Sequence, residues 1–434
     1  MAGTTVDSEL NAERGQPCPR DRSFQARADK AVRAPQAPVD FRLAQFSDDP
    51  AIRGLLRRNP MPGAISLTFE REPSFFAATG LAGAADQTIL AFDRERLVCL
   101  GRCSIRRRYV NGVAKQVGYL TDLRLDASVQ GRFDILRRGY KFFQTLQDSK
   151  PADHYFTSIA ADNERSLRFL ERGVPGMPHY EFISNFFTLL LPVRRKLAAR
   201  RRPPEITTVA SGSEERLPEI VQFLNEQSKR YELAACWTTD DLLGLQHIGL
   251  PLSDLRLATD GTNVVGCAAL WDQRNFKQTV IRGYPGRVLV ARPWLNLAAK
   301  LFGTSRLPPI GATLAQAFLS PLAVTEGRDD ILHTLLEQAL QQAATRGLEF
   351  LTLGFGAGNW KLAFIRNHYR CREYQTRIYQ VTWPETDLAP RHRSAGFQTC
   401  RADFQSANHP HSQSTSASSQ PSPDRTIFPE VSLL

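Results

Sequence analysis

Apolar residues recur at the spacings typical of helices and strands, and the same order of elements occurs twice along this 434-residue chain. In the first region Ile52, Leu55 and Leu56 fall on one helical face. The dipeptide Asn111-Gly112, between two β-type runs, predicts a two-residue hairpin. The predicted elements are helix 49–58, strands 88–92, 97–105 and 117–125, helix 133–146, strand 155–160, helix 164–171 and strand 181–191.

The second region repeats this plan from about residue 206 onward. Asp260-Gly261 marks the turn between its first two strands, and an insertion over 284–309 has no counterpart in the first region. The predicted elements are helices 217–227 and 239–245, strands 255–258, 264–270 and 313–319, helix 331–344, strand 350–353, helix 360–367 and strand 376–383.

Two matching strings fix the register of this repeat. QGRFDIL at 130–136 and EGRDDIL at 326–332 agree at five of seven positions. In each copy an asparagine, Asn163 or Asn359, follows the glycine of the string by 32 residues. We therefore predict a duplicated domain. Both tails lack the apolar residues of a core and are predicted to be disordered. The predicted parts of the chain are a disordered tail 1–39, domain 1 over 40–192, a basic proline-containing linker 193–205, domain 2 over 206–385 and a disordered tail 386–434.

The stretch LRLDASVQGR at 123–132 resembles the strand and loop that bind the pyrophosphate of acyl-CoA in the GNAT superfamily of N-acetyltransferases. Asn163 and the helix after it resemble the family's later Asn-initiated helix. Amides at a helix N-terminus attract phosphate, and glycine lets the backbone approach it closely. The resemblance implies an α/β (α+β) fold of two consecutive GNAT-like domains, each a mixed central sheet flanked by helices, and acetyl-CoA or another acyl-CoA as cofactor. The cofactor-binding residues it implies are Leu123, Leu125, Gln130, Gly131, Arg132, Phe133, Asp134, Ile135 and Asn163.

The chain departs from the family pattern where that pattern has further small residues in the loop. Phe133 and Ile135 stand there in the first copy, and Asp329 and Ile331 in the second. Glu326 adds a second negative charge beside the expected polyanion in the second copy. We therefore expect the first copy to bind the cofactor. Asn163 either contacts it or serves as a helix N-cap, since asparagine is favoured at that position.

Acyl transfer to an amine needs a positioned nucleophile, a base for its proton and donors that polarise the thioester carbonyl. The predicted central strand contains Tyr119 and Thr121 on one face, with Leu120 and Asp122 on the other. Asp122 is the candidate base, and the alternative is a carboxylate satisfied by local donors. Tyr119 is a further candidate for the catalytic set.

The family often carries a tyrosine acid seven residues after the helix asparagine. That position is Leu170 in the first copy, so this acid is absent there. Tyr180 is a candidate replacement, and the alternative is an aromatic residue at the edge of the core.

Charge and cysteine usage narrow the choice of partners only in part. The net charge of +11 attracts anions such as phosphates, nucleic acid or anionic lipid without choosing among them. The seven cysteines form no CxxC pair, so no metal site or disulfide framework is expected. The longest apolar stretch, 186–193, is too short to span a membrane, and the N-terminus lacks the apolar core of a secretory signal. We expect a cytoplasmic protein.

Four functions compete at this point, the fourth being a nucleic-acid-binding module with no acyl chemistry, which is disfavoured because the basic residues lack interleaved aromatics. The leading one is an acyl-CoA-dependent, and in particular acetyl-CoA-dependent, N-acyltransferase acting on a small molecule or an amino group of a larger one. The alternatives are a non-catalytic acyl-CoA-binding or interaction protein and an aminoacyl-tRNA-dependent transferase. The last class carries a long helical arm in its second domain, whereas the prolines of 284–309 predict no such helix. Oligomeric state is left open.

Overall fold

Strands dominate the computed structural model, which describes residues 39–61, 63, 65–80, 85–147, 152–193, 208–301, 306–383 and 426–430. The strands are β1 Val39–Leu43, β2 Ser66–Glu70, β3 Ala85–Asp93, β4 Arg96–Val110, β5 Val113–Leu125, β6 His154–Ala160, β7 His179–Pro192, β8 Thr208–Ser211, β9 Leu255–Asp260, β10 Asn263–Trp271, β11 Gln278–Gly283, β12 Gln316–Val324, β13 Phe350–Gly356 and β14 Arg372–Thr382. The helices are α1 Asp49–Arg58, α2 Phe133–Gln147, α3 Glu164–Glu171, α4 Leu217–Ser228, α5 Thr239–Gln246, α6 Gly286–Leu301, α7 Asp329–Thr345 and α8 Trp360–His368.

Twelve of these strands form one mixed sheet in the order β1-β3-β4-β5-β6-β14-β7-β13-β12-β10-β9-β8. We call residues 39–193 the N-terminal half and residues 208–383 the C-terminal half. From the β1 edge, the strands of the N-terminal half follow in chain order up to β6, and the next strand is β14, the last of the C-terminal half. From the β8 edge, the strands of the C-terminal half follow in chain order up to β13, and the next strand is β7, the last of the N-terminal half. β14 thus pairs with β6, and β7 pairs with β13. The described residues form one compact unit, and the division into domains 40–192 and 206–385 stays a prediction.

Local signals in the sequence correspond to the observed turns and caps. Asn111 and Gly112 have φ values of 52° and 74° at the β4–β5 turn, as the hairpin prediction requires. The two glycines of the repeated strings, Gly131 and Gly327, both have positive φ, at 87° and 78°. Asn163 accepts a hydrogen bond from the Ser166 amide at the start of α3. The repeat therefore reproduces local geometry as well as sequence.

A β-bulge interrupts β5 where the sequence predicts regular alternation. β4 residues Leu100 and Arg102 face Arg124 and Thr121 of β5, so β5 has one extra residue there, and Asp122 has φ of 55°. Parallel pairing of β5 with β6 extends only from Val117↔His154 to Leu120↔Thr157. Beyond it the two strands separate, and we call this gap the first notch.

The C-terminal half contains a matching gap. β12 pairs in parallel with β13 only from Gln316↔Phe350 to Phe318↔Thr352. A register shift against β10 follows, with Leu270 opposite Leu319 and Ala268 opposite Leu322. We call the gap between β12 and β13 beyond these pairs the second notch. In each half, therefore, the two strands of a parallel pair separate, and one strand of that pair carries a bulge.

Two regions of the described residues are more ordered than the sequence pattern predicts. The insertion 284–309 contains the 16-residue helix α6, although Pro293 lies within it. Pro293 is exposed, so the carbonyl group that loses its helical donor can be hydrated. Part of the tail 386–434 is ordered as well, because Ile427, Phe428 and Glu430 are buried. The other residues of that tail, residues 1–38 and nearly all of the linker 193–205 lie outside the described residues.

No helix in the described residues is both long enough and apolar enough to cross a bilayer.

Candidate active site

A cavity of about 860 Å³ opens at the first notch and is walled by both halves. Its floor is the central sheet, including Tyr119–Arg124 of β5 and Thr157–Ala160 of β6. The N-terminal half's β2 and the C-terminal half's β11 pair with each other as a separate two-stranded sheet. Leu67 of β2 and Ile281 of β11 line the cavity opposite the floor. The two halves therefore build one shared site.

The part of the cavity under α2 is apolar. Helix α2 crosses the face of the sheet near β1 and β3, and this region would be filled by side chains in an ordinary core. Small residues, Gly101 of β4 and Gly139 of α2, leave space there, and a Cβ atom added at Gly101 would meet only Leu123 Cδ1, at 3.8 Å. The apolar lining from β1, β3 and α2 consists of Phe41, Ile89, Ala91, Ile135, Leu136 and Phe143.

A charged cluster lies at the bulge end of the cavity. Asp122 Oδ2 is 3.4 Å from Arg71 Nη2 and 3.8 Å from Arg102 Nη1. Arg102 also pairs with Asp86 at 2.9 Å. Burial opposes ionisation of Asp122, but the charges of Arg71 and Arg102 outweigh it and hold its pKa below the ordinary value. An ion-paired carboxylate of low pKa is a weak base, and the catalytic role of Asp122 stays a prediction.

Lys277, at the start of β11, lines the same cavity from the C-terminal half. Its ammonium nitrogen lies 5.7 Å from the centre of the Phe318 ring. Burial, together with the nearby charge of Arg71, lowers the pKa of Lys277 to about 7, despite the opposing charge of Asp122. A lysine in this state is partly neutral near pH 7 and can accept a proton.

We expect this depressed pKa to appear in the stability of the protein. Between pH 7 and the ordinary lysine pKa of 10.5 the unfolded chain binds a proton at Lys277 that the folded protein does not. Stability contributed by this site therefore rises with pH across that window, by up to about 1.4 kcal/mol per pH unit. In denaturant unfolding, the free energy of unfolding of wild type should rise relative to that of Lys277→Met from pH 7 to pH 10. A constant difference, like that expected for exposed Lys141→Met, would contradict the depressed pKa.

The loop predicted to hold the pyrophosphate lies at the N-terminus of α2. Arg132 and Asp134 form a bidentate ion pair, with Nη2–Oδ2 at 2.7 Å and Nε–Oδ1 at 3.2 Å. The amides of Gln130, Arg132 and Phe133 donate to carbonyl groups within the loop. Gly131 has open space around its α-carbon. The loop keeps the glycine turn at a helix N-terminus, while the charge of Arg132 is already matched.

Phe133 does not fill the first notch. Its ring is 49% exposed and stacks on Phe169 of α3 with centroids 4.5 Å apart. Ile135, in contrast, is fully buried and contributes to the cavity wall. The bulky residue that departs most from the family pattern therefore lies at the surface, between α2 and α3.

The remaining predicted site residues divide into two groups. Tyr119, Tyr180, Leu123 and Asn163 line the cavity, whereas Leu125 packs into the core beside it. The Tyr119 hydroxyl lies 2.6 Å from Ser158 Oγ. The Tyr180 hydroxyl lies 2.5 Å from that of Tyr140, and burial raises the pKa of Tyr180 well above its ordinary value. Asn163 caps α3, one of the two roles left open from the sequence, and also borders the cavity, while its contact with a cofactor stays a prediction.

The second notch is occupied by residues Thr426–Glu430, which we call the C-terminal segment. The Phe428 amide donates to the Glu232 carbonyl at 2.9 Å, and the Phe428 ring stacks on Phe355 of β13 with centroids 5.7 Å apart. Glu430 is buried and hydrogen-bonds Ser320 of β12. The segment therefore contacts both strands that border the second notch.

Several cavity residues are not apparent from the sequence pattern. Arg71 follows β2, and Lys277 precedes β11, far along the chain. The family resemblance covers the strand, loop and helix around 123–163, and neither Arg71 nor Lys277 lies within those residues. An acid-free run over 273–325 that contains Lys277 is the only signal in that part of the sequence.

A bulged strand, a splayed parallel pair and a glycine turn that enters a helix occur in each half of this α/β fold. The chain has the GNAT fold, as its resemblance implied. It is similar to Saccharomyces cerevisiae N-myristoyltransferase with bound myristoyl-CoA, with a TM-score of 0.53 and 11% identity over 82% of this chain and 81% of that one. It is also similar to the GCN5-related glucosamine N-acetyltransferase region of a fungal multi-domain GH3 β-N-acetylglucosaminidase, with a TM-score of 0.52 and 12% identity over 80% of this chain and 38% of that one.

At these identities the likeness concerns the fold alone. No family model and no curated protein matches the sequence.

Proposed function

We propose that this protein is an acyl-CoA-dependent N-acyltransferase whose thioester lies in the first notch. One observation carries the proposal: the gap between β5 and β6, beside the bulge at Asp122, opens into a cavity of about 860 Å³. The amides of β5 beyond Leu120 are not used in pairing with β6, so they are placed to polarise a carbonyl group. The C-terminal segment fills the second notch, which leaves the N-terminal half as the binding site.

The proposed acyl group is longer than acetyl. An acetyl group would leave the apolar space between α2 and the sheet empty, and apolar cavities of that size in a core are unfavourable. Each buried methylene contributes about 0.8 kcal/mol, so a medium or long chain gains affinity from this region. The yeast N-myristoyltransferase of similar fold was determined with myristoyl-CoA bound, which is consistent with this choice.

In the proposed reaction, the nitrogen of an acceptor amine forms a bond to the thioester carbonyl carbon, and the carbon–sulfur bond breaks. Neutral Lys277 accepts the proton that the amine loses. The CoA sulfur leaves as thiolate and is protonated to the thiol. The Lys277 ammonium, or solvent, supplies that proton. Tyr180 and Tyr119 line the cavity, and because burial raises the pKa of both hydroxyls, they are proposed to donate hydrogen bonds to the departing sulfur and to keep their own protons. Asp122 then holds Arg71 and Arg102 in place instead of acting as the base.

Calorimetric titration with acetyl-, octanoyl- and myristoyl-CoA tests the proposal, followed by a thiol-release assay over a panel of amines. We expect one site per chain, affinity that increases with chain length, and turnover with at least one amine. Lys277→Met should retain binding and lose at least about tenfold in turnover, as expected for a missing base. Lys141→Met, on the exposed face of α2, should behave as wild type.

The alternatives give different results in the same experiments. Binding of acyl-CoA with no turnover on any amine would favour the non-catalytic binding protein. Steeply salt-dependent binding of aminoacyl-tRNA, without acyl-CoA binding, would favour the tRNA-dependent class. The insertion forms the single 16-residue helix α6, which is shorter than the long helical arm of that class. No binding of any acyl-CoA overturns the proposed function.

A further inference from the structure

Helix α6 presents a continuous apolar stripe to solvent. Val290, Trp294, Leu297 and Leu301 are 79%, 74%, 51% and 75% exposed. Their spacings of four, three and four residues place them on one side of the helix. Single exposed apolar residues need no explanation, but an ordered stripe along a 16-residue helix is typical of a binding surface.

The charged residues of the segment that carries this stripe are all of one sign. Residues 273–325 contain no aspartate or glutamate. Arg287 and Lys300 are exposed near the two ends of α6. A stripe that bound an ordinary protein surface would need no such exclusion of acidic residues. An apolar face with tryptophan, bordered by cations, is the pattern of helices that lie in the interface of anionic membranes.

Hydrogen bonds fix α6 to the wall of the cavity. The Asn296 side chain accepts from the Leu307 amide at 2.7 Å and donates to the Leu307 carbonyl at 3.1 Å. Arg292 Nε donates to the same carbonyl at 3.2 Å. Leu307 and the adjacent Pro308 line the cavity. A surface that binds α6 is therefore brought close to the cavity wall, while the stripe itself stays directed away from the protein.

We propose that the stripe on α6 docks the protein on the surface of a membrane containing anionic lipid. Val290, Trp294, Leu297 and Leu301 enter the boundary between headgroups and acyl chains. Arg287 and Lys300 remain at the level of the phosphates, where the negative surface of the membrane attracts them. The helix lies in the plane of the interface. This inference rests on the exposed surface and its charge, and it does not depend on the proposed acyltransferase activity.

Flotation of the full-length protein with vesicles tests the inference, comparing phosphatidylcholine alone with phosphatidylcholine mixed with phosphatidylglycerol. We expect binding to the anionic vesicles only, weakened by salt, with a shift of tryptophan emission to shorter wavelength. The double variant Val290→Glu/Trp294→Glu should bind at least about tenfold less. Val113→Glu, at an exposed position in the β4–β5 hairpin, should bind as wild type. Trp294→Phe should still float but lose most of the emission shift.

Three outcomes overturn the proposal. The first is equal flotation of the double variant and wild type. The second is a dimer in sedimentation that the double variant abolishes, with no vesicle binding, because the stripe is then covered by a second copy. The third is poor quenching of Trp294 by acrylamide in the protein alone, because the stripe is then covered within the chain. Circular dichroism of the double variant controls for folding, which exposed substitutions should leave intact.

Discussion

Replacement of Gly101 by phenylalanine should weaken the binding of myristoyl-CoA about a hundredfold, or ~2.7 kcal/mol. Gly101 lies on β4 in the floor of the cavity, and its nearest neighbour for an added Cβ is Leu123 Cδ1 at 3.8 Å. The new side chain therefore fits the backbone without a clash and extends into the apolar space. It would displace about three or four methylene groups of a bound chain, at about 0.8 kcal/mol each. Calorimetric titration measures the change.

The chain-length series makes this prediction specific. Acetyl-CoA, which has no chain in the apolar region, should lose little affinity in Gly101→Phe. Gly244→Phe is the matched control, because Gly244 of α5 also has free space around its α-carbon and lies outside the cavity lining. Unfolding midpoints should confirm that both variants fold. A uniform loss for all chain lengths would place the acyl chain elsewhere, and unchanged affinity for myristoyl-CoA would contradict the proposed site.

Truncation of Phe428 to alanine should lower the free energy of unfolding by about 3–5 kcal/mol, the range for a large aromatic side chain removed from a core. Phe428 is 7% exposed, stacks on Phe355 and packs within 5.4 Å of the Tyr231 ring centre. Its backbone amide is bonded to Glu232. The C-terminal segment thus fills space that would otherwise be a void between β12 and β13. Denaturant unfolding of the variant measures the loss.

Phe46→Ala provides the comparison, because Phe46 is 80% exposed and the same atoms are removed there. We expect its free energy of unfolding to stay within about 1 kcal/mol of wild type. Acyl-CoA affinity should be unchanged in Phe428→Ala, because the proposed binding site is the first notch. A new, second equivalent of bound acyl-CoA in this variant would show that the segment masks a functional site instead of completing a core. A stability change no larger than that of Phe46→Ala would contradict the observed packing.

Much of the fold follows from local sequence signals. Asn111-Gly112 and Gly261 mark two hairpin turns, because left-handed backbone at these positions favours asparagine and glycine, while Asp260 is the last residue of β9. The repeated GRxDIL strings place two glycine turns at two helix N-termini, and the ion pair Arg132–Asp134 recurs as Arg328–Asp330. Such features depend on neighbours a few residues away. A single sequence is therefore sufficient to predict them.

Features that depend on distant residues escaped prediction. The bulge at Asp122 inserts one residue into β5, and no side-chain pattern distinguishes it from a regular strand. Regular alternation would direct Tyr119 and Asp122 to opposite faces, whereas both line the cavity. The C-terminal segment was assigned to a disordered tail because its neighbours in sequence are polar. Its burial depends on a notch formed by β12 and β13, which composition does not encode.

The candidate site was predicted in outline but not in its charged part. Asp122, Leu123, Ile135 and Asn163 of the predicted set line the cavity, whereas residues 130–134 of the predicted loop are not among its lining residues. Arg71 and Lys277 enter it only because β2 pairs with β11, which lies 208 to 217 residues further along the chain. Pairing between strands so far apart in sequence is set by the assembled sheet. Motif spacing within one copy of the repeat carries no information about it.

The last strand of each half pairs with a strand of the other half, and this arrangement has a consequence for biosynthesis. When β6 leaves the ribosome, its neighbour β14 lies about 200 residues downstream, as Ala160 and Arg372 mark the two strands. At about 5–20 residues per second, translation leaves that edge of the nascent sheet uncovered for ten seconds or more. An open edge is a template for pairing with other chains. Until the final strand emerges, the β6 edge of the nascent chain is therefore open to pairing with other chains.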